Sequence, residues 1–277
     1  MPITYRSLLP TMGAEVLGFD PTAPLDPATA KALYAGLQQH RLLVFRGADL
    51  TEEQQVALTQ IAGEVTLRGA SGTKKAKATL VSNTQEGGLF GSGELSFHSD
   101  LSFTEHILKA RSLHALLLPS SDAGGETLFS DVQTAYEELD AELKSRAAPL
   151  LARFAVTYNY GDRQVVYDFV RPIIGTHPHT GRRFIAASRA VTKEIIGMER
   201  AEYRPLLKRL WEHMERPKYV YRHSWKLGDT VLWDNIGLQH ARTPFDPSEK
   251  RALRAVSVDE PWIAVKQAAN VAATAAY

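Results

Sequence analysis

The chain has 277 residues, of which 44% are hydrophobic and 23% are charged, and its formal net charge is +1. These values are typical of a globular protein with a sizeable core, and the near-zero charge gives no general attraction to nucleic acid or to a membrane surface. Cysteine is absent, which excludes disulfides, thiolate metal ligands and thiol nucleophiles, so any metal must be bound by His, Asp or Glu. No run of 18 apolar residues predicts a membrane span, and the first residues lack the pattern of a signal peptide. We therefore expect a cytoplasmic protein without nucleic-acid or membrane partners.

The first 60 residues predict a strand, a helix, a second strand and a second helix. Asp26 and Pro27 are typical of a helix N-cap followed by the first helical position. The apolar run 42–45 predicts a buried strand. Thr51 and Gln54 have the spacing of a capping box, in which each side chain accepts the backbone N–H of the other residue. These elements are interpreted as a helical preface to a β-rich body.

Residues 66–96 contain few apolar side chains and many of Gly, Ser, Thr and Lys. They predict loops on either side of a short strand at 81–83. The glycine-rich run 86–93 is interpreted either as an active-site lid or as an ordinary surface loop, and the sequence leaves both open. Its glycines do not match a phosphate-binding fingerprint.

The rest of the chain predicts mainly strands, with three further helices. Ser130 and Gln133 have capping-box spacing for a helix through Leu139, and a second helix is predicted over about 140–152. Apolar residues from Tyr203 to Met214 recur at helical spacing and predict an amphipathic helix. Strands are predicted at 112–118, over 154–190 with a turn at 177–181, and at 219–224, 230–233 and 253–258. We predict one domain over 1–277, of mixed α+β class and β-rich, with a double-stranded β-helix (jelly-roll) core and flanking helices. The tail, 263–277, has no evident role.

His98 and Asp100 lie two residues apart in a segment of alternating character. In a β-strand, residues i and i+2 project from the same face, so the imidazole and the carboxylate would point at one place. Such a pair supplies two of the three ligands of a 2-His-1-carboxylate site for non-haem Fe(II). Two ordinary polar residues explain the His-x-Asp triplet equally well, so the assignment depends on finding a third ligand.

His240 is the candidate third ligand, because it follows a predicted strand and because strands distant in sequence lie side by side in a barrel. Arg251 and Arg254 follow at the start of a β-branched run, where a guanidinium is suited to bind a carboxylate with two hydrogen bonds. Thr127 would add a hydroxyl hydrogen bond to that carboxylate. The odd separation of the two arginines places them on opposite strand faces, which leaves Arg254 as an alternative clamp, a substrate contact or a structural residue.

Six short segments and two single residues occur in a fixed order along the chain. They are Gly-Ala-Glu-Val at 13–16, His-Arg-Leu-Leu-Val-Phe-Arg at 40–46, Phe-His-Ser-Asp at 97–100, Gly-Gly-Glu-Thr-Leu at 124–128, Thr-His-Pro-His-Thr-Gly at 176–181, Trp-Asp-Asn at 233–235, His240 and Arg251. The ordered set resembles the taurine dioxygenase / 2,4-dichlorophenoxyacetate dioxygenase family of Fe(II)- and 2-oxoglutarate-dependent oxygenases. The resemblance extends over roughly residues 3–262.

The resemblance implies that His98, Asp100 and His240 bind Fe(II), and that Thr127 and Arg251 bind the distal carboxylate of 2-oxoglutarate, whose keto acid end chelates the iron. It implies oxidative decarboxylation of 2-oxoglutarate by O2 to succinate and CO2, coupled to oxidation of a substrate C–H bond. Members of the family are often dimers or tetramers, so a homo-oligomer is expected by resemblance.

Two positions depart from the taurine-specific members of the family. Glu94 and Ala255 stand where those members have an asparagine and an arginine that contact taurine. Taurine is therefore not the expected substrate. Asn235 is interpreted as a residue that orients His240 through a hydrogen bond. Phe90, Phe103 and Tyr160 are candidate pocket residues, with ordinary core side chains as the alternative.

These observations support three functional hypotheses. The leading one is an Fe(II)/2-oxoglutarate-dependent dioxygenase that oxidises a small organic substrate, expected to be an acid. The second is a tailoring oxygenase of natural-product biosynthesis, which desaturates or decarboxylates an amino-acid-derived compound. The third is a jelly-roll module that binds a small ligand without catalysis.

Overall fold

Strands outnumber helices in a computed structural model of the chain, which describes residues 2–68, 75–84, 91–120, 123–160 and 163–260. In chain order the strands are β1 (Thr4–Ser7), β2 (Ala14–Leu17), β3 (Leu42–Phe45), β4 (Ala78–Ser82), β5 (Leu95–His98), β6 (Ile107–Leu117), β7 (Thr127–Asp131), β8 (Leu151–Tyr160), β9 (Arg163–Pro172), β10 (Ile174–Thr176), β11 (Arg183–Ile185), β12 (Thr192–Ile195), β13 (Val220–His223), β14 (Thr230–Asp234), β15 (Leu238–Arg242) and β16 (Ala252–Glu260). The helices are α1 (Pro27–His40), α2 (Glu52–Thr59), α3 (Val132–Glu137), α4 (Ala141–Ala147) and α5 (Arg200–Met214), with short 3₁₀ turns at Gln60–Ala62 and Pro217–Tyr219.

Two antiparallel sheets enclose the central core. The larger sheet has the order β1-β2-β3-β14-β6-β16-β4 and the smaller β13-β7-β15-β5, and within them only β2 and β3 pair in parallel among the described strands. Leu42, Trp233 and Leu253 of the larger sheet pack against Phe129 and Leu238 of the smaller one. The shared apolar layer holds the sheets face to face, and the predicted β-rich α+β class with a double-stranded β-helix core is confirmed.

The N-terminal helices begin where their capping residues predict. The Asp26 carboxylate accepts the backbone N–H groups of Ala28 and Thr29, and Pro27 is the first residue of α1. Thr51 and Gln54 form the predicted capping box of α2. Both helices bury apolar side chains against the outer face of the larger sheet, as Leu33 of α1 does. The helical preface therefore covers one face of the sheet and leaves the other for the core between the sheets.

Three predicted helix boundaries are wrong. The N-cap of α3 is Asp131, whose carboxylate accepts the backbone N–H of Thr134, while Ser130 lies in β7 and donates its hydroxyl to the carbonyl of Met214. Each helix is also shorter than predicted. A second cap at Asp140 separates α3 from α4, and α4 ends at Ala147 because β8 begins four residues later.

Two buried histidines predict a steep acid dependence of stability. Burial lowers the pKa of His114 to about 4 and that of His223 to about 3. Below about pH 6.5 each of these histidines takes up a proton in the unfolded chain but stays neutral in the folded chain. Between roughly pH 6.5 and its folded pKa, each histidine therefore lowers the free energy of unfolding by about 1.4 kcal/mol for every unit that the pH falls. We expect the free energy of unfolding from urea titrations to fall from pH 7 to pH 5.

One histidine variant and one control variant test whether the buried histidines cause this pH dependence of the free energy of unfolding. His114→Gln is expected to remove the contribution of one histidine to the pH dependence of the free energy of unfolding, because glutamine does not titrate. His106→Gln, at an exposed position, is the control and is expected to leave the slope unchanged. A free energy of unfolding that stays constant between pH 7 and pH 5 would contradict the assignment of these histidines as buried and neutral.

Of the helices in the described ranges, none combines the length and the apolar character that a membrane crossing needs.

Candidate active site

Two neighbouring strands bring the predicted histidines together. β5 and β15 pair antiparallel with His98 directly opposite His240, and the ring centroids of the two imidazoles are 4.3 Å apart. The sequence did not predict β15 as a strand, but it predicted that strands distant in sequence would bring His240 beside His98, which is what is found. One cross-strand pair thus places side by side two histidines that are 142 residues apart in the sequence.

Asp100 reaches the same place from a turn, which corrects the expectation of one continuous strand. β5 ends at His98, and the backbone N–H of Ser102 then bonds the carbonyl of Ser99. Leu101 is left-handed, with φ of 58°. A non-glycine residue in that region is uncommon and tends to persist where surrounding structure enforces it, often at functional sites.

The three side chains form a cluster suited to a metal ion. The carboxylate of Asp100 lies between the imidazoles, 3.7 Å from His98 Nε2 and 3.6 Å from His240 Nε2. One ligand atom from each residue lies within 4.8 Å of the others. Two imidazole nitrogens and one carboxylate oxygen are the donor set of the 2-His-1-carboxylate iron site, so the residues fit Fe(II).

Each imidazole is held with Nε2 toward the carboxylate. His98 Nδ1 lies 2.8 Å from the carbonyl oxygen of Ser96. Since a carbonyl only accepts, Nδ1 must carry the proton, which leaves the Nε2 lone pair for a metal. His240 packs against Trp233, with 5.0 Å between ring centroids. Burial, helped by the nearby His98, lowers the pKa of His240 to about 3, so this imidazole is neutral at physiological pH.

Arg111 fixes the carboxylate of Asp100. Its Nη1 donates to Asp100 Oδ2 at 2.5 Å, and both side chains are largely buried. Burial by itself would raise the pKa of Asp100, but Arg111 and the two imidazoles outweigh it and hold that pKa far below its ordinary value. The carboxylate is therefore an anion over the whole physiological range, with Oδ1 free of this ion pair.

Asn235 holds the backbone of Asp100 and not the ring of His240, contrary to the sequence interpretation. Its Oδ1 accepts the N–H of Asp100 at 3.0 Å, and its Nδ2 donates to the carbonyls of Asp100 and Leu108 at 3.2 Å and 3.0 Å. The amide is fully buried. Asn235 thereby ties the turn after β5 to β6 and the β14–β15 connection.

Replacing Asn235 with alanine is expected to lower both stability and metal affinity. Three buried backbone groups would lose their partner, and each costs about 1–3 kcal/mol when left unsatisfied, so we expect a loss of at least about 3 kcal/mol in the free energy of unfolding. Metal affinity is expected to fall by about 10- to 100-fold, as for other residues that support ligands. Urea denaturation and Co(II) titration measure the two effects. Gln39→Ala, on the exposed face of α1, is the control; an equal effect there would contradict the role of Asn235.

Thr127 and Arg251 line the same cleft as the three candidate ligands, here called the triad cleft. Arg251 is 2% exposed, its Nε donates to the carbonyl of Gly125 at 3.1 Å, and within the described residues it forms no ion pair with a carboxylate. Trp225 Nε1 donates to Thr127 Oγ1 at 3.0 Å. Because an indole N–H can only donate, the threonine hydroxyl retains its own proton to give to an anion.

Gly124 and Gly125 form the chain segment just before β7. Both have positive φ, of 89° and 83°. A Cβ on Gly124 would lie 2.2 Å from the carbonyl oxygen of Pro244, and one on Gly125 would lie 3.4 Å from Arg251 Nε. Glycine is therefore required at both positions by the backbone conformation, and at Gly124 also by the carbonyl of Pro244.

Arg254, the alternative clamp, is not brought to the cleft. Its Nε donates to Gln55 Oε1 at 2.7 Å and its Nη2 to the carbonyl of Leu50 at 2.5 Å, on the α2 side of the larger sheet. The three-residue separation from Arg251 puts the side chains on opposite faces of β16. Of the two arginines, only Arg251 faces the candidate ligands.

Two cleft arginines were missed by the sequence analysis. Arg111 lies on β6, and no spacing relates it to Asp100 before the sheet is formed. Arg242 lines the cleft, donates to the carbonyl of Gly91 at 2.6 Å and lies over the ring of Phe245. Its position two residues after His240 would have predicted the shared face, had β15 been recognised as a strand.

Of the other predicted residues, those in the described ranges do not line the triad cleft. Phe103 is buried against the rings of Tyr158 and Tyr167, as the core alternative had it. Glu94 is exposed. Ala255 is buried in the core between the sheets. Phe90, the side chain of Tyr160 and most of the glycine-rich run 86–93 fall outside the described residues, so the lid hypothesis stays a prediction.

The triad cleft encloses about 430 Å³ of space, which includes the open solvent at its mouth. Apolar walls, which include Val81, Leu95 and Leu113, surround its polar groups. A few polar groups set within apolar walls are typical of a small-molecule site. Two imidazole nitrogens and an ionised carboxylate at one end, and a buried guanidinium with a hydroxyl at the other, can hold a metal ion and an anion together.

The chain is similar in sequence to known proteins over most of its length. Residues 4–257 match the model of the family described as Taurine catabolism dioxygenase TauD, TfdA family. Pentalenolactone F synthase of Streptomyces avermitilis is 31% identical, over 91% of this chain and 94% of its own length. The alpha-ketoglutarate-dependent 2,4-dichlorophenoxyacetate dioxygenase of a Burkholderia strain is 32% identical, over 92% and 93%.

A solved structure shares the fold. The crystal structure of AAD-2 in complex with Mn(II) and N-oxalylglycine superposes with a TM-score of 0.77 at 30% identity, over 94% of this chain and 98% of that one. The family match spans nearly all the described residues, and the predicted resemblance is confirmed. The chain belongs to the TauD/TfdA family of Fe(II)- and 2-oxoglutarate-dependent dioxygenases.

Proposed function

We propose that this dioxygenase oxidises a C–H bond of a small organic acid, with Fe(II) bound by His98, Asp100 and His240. Thr127 and Arg251 bind the distal carboxylate of 2-oxoglutarate. The observation that carries the proposal is the placement, in one cleft, of three metal-binding side chains and a buried arginine without a carboxylate partner among the described residues. We further propose that 1–277 is a single oxygenase domain, which the match over 4–257 supports.

The charge of the triad cleft supports an acidic substrate. Arg111 and Arg251 line it, and Asp100 is the one carboxylate among the described lining residues. Fe(II) adds two positive charges, while 2-oxoglutarate carries two negative ones. The loaded cleft therefore keeps an excess of positive charge, which favours an anionic substrate.

Each cleft residue has a distinct task in the proposed reaction. Arg251 and Thr127 orient 2-oxoglutarate, Arg111 keeps Asp100 ionised and fixed, and the Trp233 and Leu113 side chains exclude water. Bound Fe(II) with 2-oxoglutarate and O2 supplies the oxidising power, with succinate and CO2 as co-products. The substrate C–H bond must lie beside the three ligands, because the part of the protein in the chemistry is to position the substrate and to exclude water.

A tailoring oxygenase of natural-product biosynthesis is the second candidate. It is favoured by the similarity to two pentalenolactone F synthases, at 31% identity each. The non-catalytic module is disfavoured, because the candidate ligands and the anion-binding residues are both complete. The two enzymatic candidates share one metal site and differ in which compound accelerates turnover of 2-oxoglutarate.

The proposal is tested by anaerobic mixing followed by a substrate screen. Purified protein, Fe(II) and 2-oxoglutarate are expected to give a visible charge-transfer absorption band without O2. Succinate release in air is then measured over aryloxyalkanoates, sulfonates, sulfate esters and amino-acid derivatives, each paired with its neutral amide or alcohol. Acceleration by an acid and not by its neutral analogue is expected. Absence of the band would contradict the iron assignment, and faster turnover with the neutral analogues would contradict the acidic substrate.

A further inference from the structure

One arginine of the triad cleft has an accessible donor that the described part of the protein leaves unused. Arg111 lines the cleft, and its side chain is 13% exposed. Its Nη1 donates to Asp100 Oδ2 at 2.5 Å, and its Nε is buried without a partner among the described residues. Its Nη2 also forms no hydrogen bond within those residues, but it is not buried. The guanidinium is therefore fixed on Asp100 by one nitrogen and has another free to bind a ligand.

The charges of the loaded cleft leave Arg111 without an anion of its own. Asp100, to which it is bonded, is also a proposed ligand of Fe(II), so the metal ion takes up much of the negative charge of that carboxylate. The two carboxylates of 2-oxoglutarate are assigned to the metal and to Arg251. One net positive charge remains among these groups. Since Arg111 is largely buried, an anion from the bound substrate would offset the cost of desolvating its guanidinium.

The other arginines among the described lining residues are engaged elsewhere. Arg251 Nε donates to the carbonyl of Gly125 at 3.1 Å, and the proposed function uses its remaining donors for 2-oxoglutarate. Arg242 Nη2 donates to the carbonyl of Gly91 at 2.6 Å. Of the three, Arg111 is the one bonded to a proposed metal ligand. It is therefore the arginine best placed to hold a second anion beside the metal position.

Apolar side chains flank Arg111 on its own strand and on the next one. Leu113 lies two residues farther along β6, on the same face, and Trp233 of β14 is the cross-strand partner of Arg111. Both line the cleft, and both are buried. A cation set into apolar surface suits a carboxylate that is attached to an apolar body, because each part of such a molecule then finds a partner in one site.

We propose that Arg111 binds the carboxylate of the substrate through Nη2 and so determines the preference for an acid with an apolar body. The inference rests on the function proposed above and names the residue that selects the substrate. Because Nη1 of the same guanidinium is bonded to Asp100, a carboxylate on Nη2 lies one guanidinium away from a metal ligand. The end of the substrate that carries the carboxylate is thus held nearest the metal position.

The first experiment uses 3-phenylpropanoate as the probe and 3-phenylpropanamide as its neutral counterpart. The full-length protein is saturated with Mn(II) and N-oxalylglycine, which fill the metal and 2-oxoglutarate positions. Calorimetric titration is expected to show at least about tenfold tighter binding of the acid than of the amide. Mn(II) broadens the NMR signals of nearby protons, so the methylene next to the carboxylate should broaden more than the para proton of the ring. Failure of the acid to bind more tightly than the amide, or greater broadening at the ring, would overturn the proposal.

Variants of Arg111 separate substrate binding from support of Asp100. Arg111→Gln removes the charge and is expected to bring the affinity for the acid within about twofold of that for the amide. Arg111→Lys keeps a charge beside Asp100 but lacks the planar fork, so it should bind Mn(II) nearly as the wild type does and still lose most of the preference. Arg146→Gln, at an exposed position on α4, is the control and should keep the wild-type preference. An undiminished preference for the acid in the folded Arg111 variants would refute the role of Arg111.

The same titrations distinguish a failure of this inference from a failure of the function proposed for the cleft. If the wild type does not bind Mn(II) and N-oxalylglycine, the proposed function fails and the role of Arg111 fails with it. If the wild type binds both, and Arg111→Gln loses affinity for N-oxalylglycine while it keeps the preference for the acid, then Arg111 contacts the co-substrate. That second result would overturn only the role of Arg111 in substrate binding.

Discussion

Asp100→Ala is expected to abolish Fe(II)-dependent turnover of 2-oxoglutarate. The change removes one of three proposed ligands and the acceptor of the 2.5 Å bond from Arg111, so a largely buried guanidinium is left beside the two imidazoles. Changes to residues that only support ligands cost 10- to 100-fold in metal affinity, so loss of a ligand should exceed about 100-fold. Anaerobic Fe(II) titration, the charge-transfer band and succinate release measure the effect.

Two further variants separate ligation from folding. Asp100→Asn keeps an oxygen that can accept from Arg111 but lacks the charge, and it is expected to fold while binding Fe(II) far more weakly. Glu94→Gln, an exposed carboxylate six residues earlier, is the matched control and should bind Fe(II) normally. Full succinate production by either Asp100 variant would show that Asp100 is not a ligand.

Arg251→Gln is expected to raise the KM for 2-oxoglutarate by at least about 30-fold. Truncating one partner of a buried, hydrogen-bonded charge pair costs about 2–5 kcal/mol or more, and the proposed partner here is the distal carboxylate. Burial lowers the pKa of Arg251 to about 9, so the guanidinium remains charged at neutral pH but costs the ligand-free protein folding free energy. The variant should therefore lose co-substrate affinity without a matching fall in melting temperature.

Arg254→Gln is the matched control for this prediction. Arg254 lies three residues away on the opposite face of β16 and bonds Gln55 and Leu50. Its replacement is expected to lower stability somewhat and to leave the KM for 2-oxoglutarate unchanged. The converse result, in which Arg254→Gln raises the KM and Arg251→Gln does not, would exchange the roles of the two arginines.

The secondary structure was predictable where local chemistry decides it. The caps at Asp26 and Thr51 act over three residues, so their effect is visible in the sequence and is found in the structure. At α3 two candidate caps were adjacent, Ser130 and Asp131. Asp131 caps the helix, because the Ser130 hydroxyl donates instead to the carbonyl of Met214, 84 residues away. No local pattern contains that contact.

In the candidate site, too, some features were predictable from the sequence and others depended on tertiary contacts. His98, Asp100, His240, Thr127 and Arg251 were identified from motif order, and all of them line one cleft. Asn235 was selected for the right reason, as a residue that supports a ligand, but assigned to the wrong partner. The identity of its partner depends on how the β14–β15 connection meets the turn after β5, which is a tertiary contact over 135 residues.

The sequence by itself determined the family, the donor set for iron and the absence of thiolate ligands, because these depend on which side chains occur and in what order. Only the tertiary structure decided that Asp100 approaches the iron position from a turn, that Arg111 and Arg242 share the cleft, and that Arg254 does not. The physical reason is that residue types are fixed along the chain, whereas the face of a strand and the partner of a buried charge are set by pairing between distant strands.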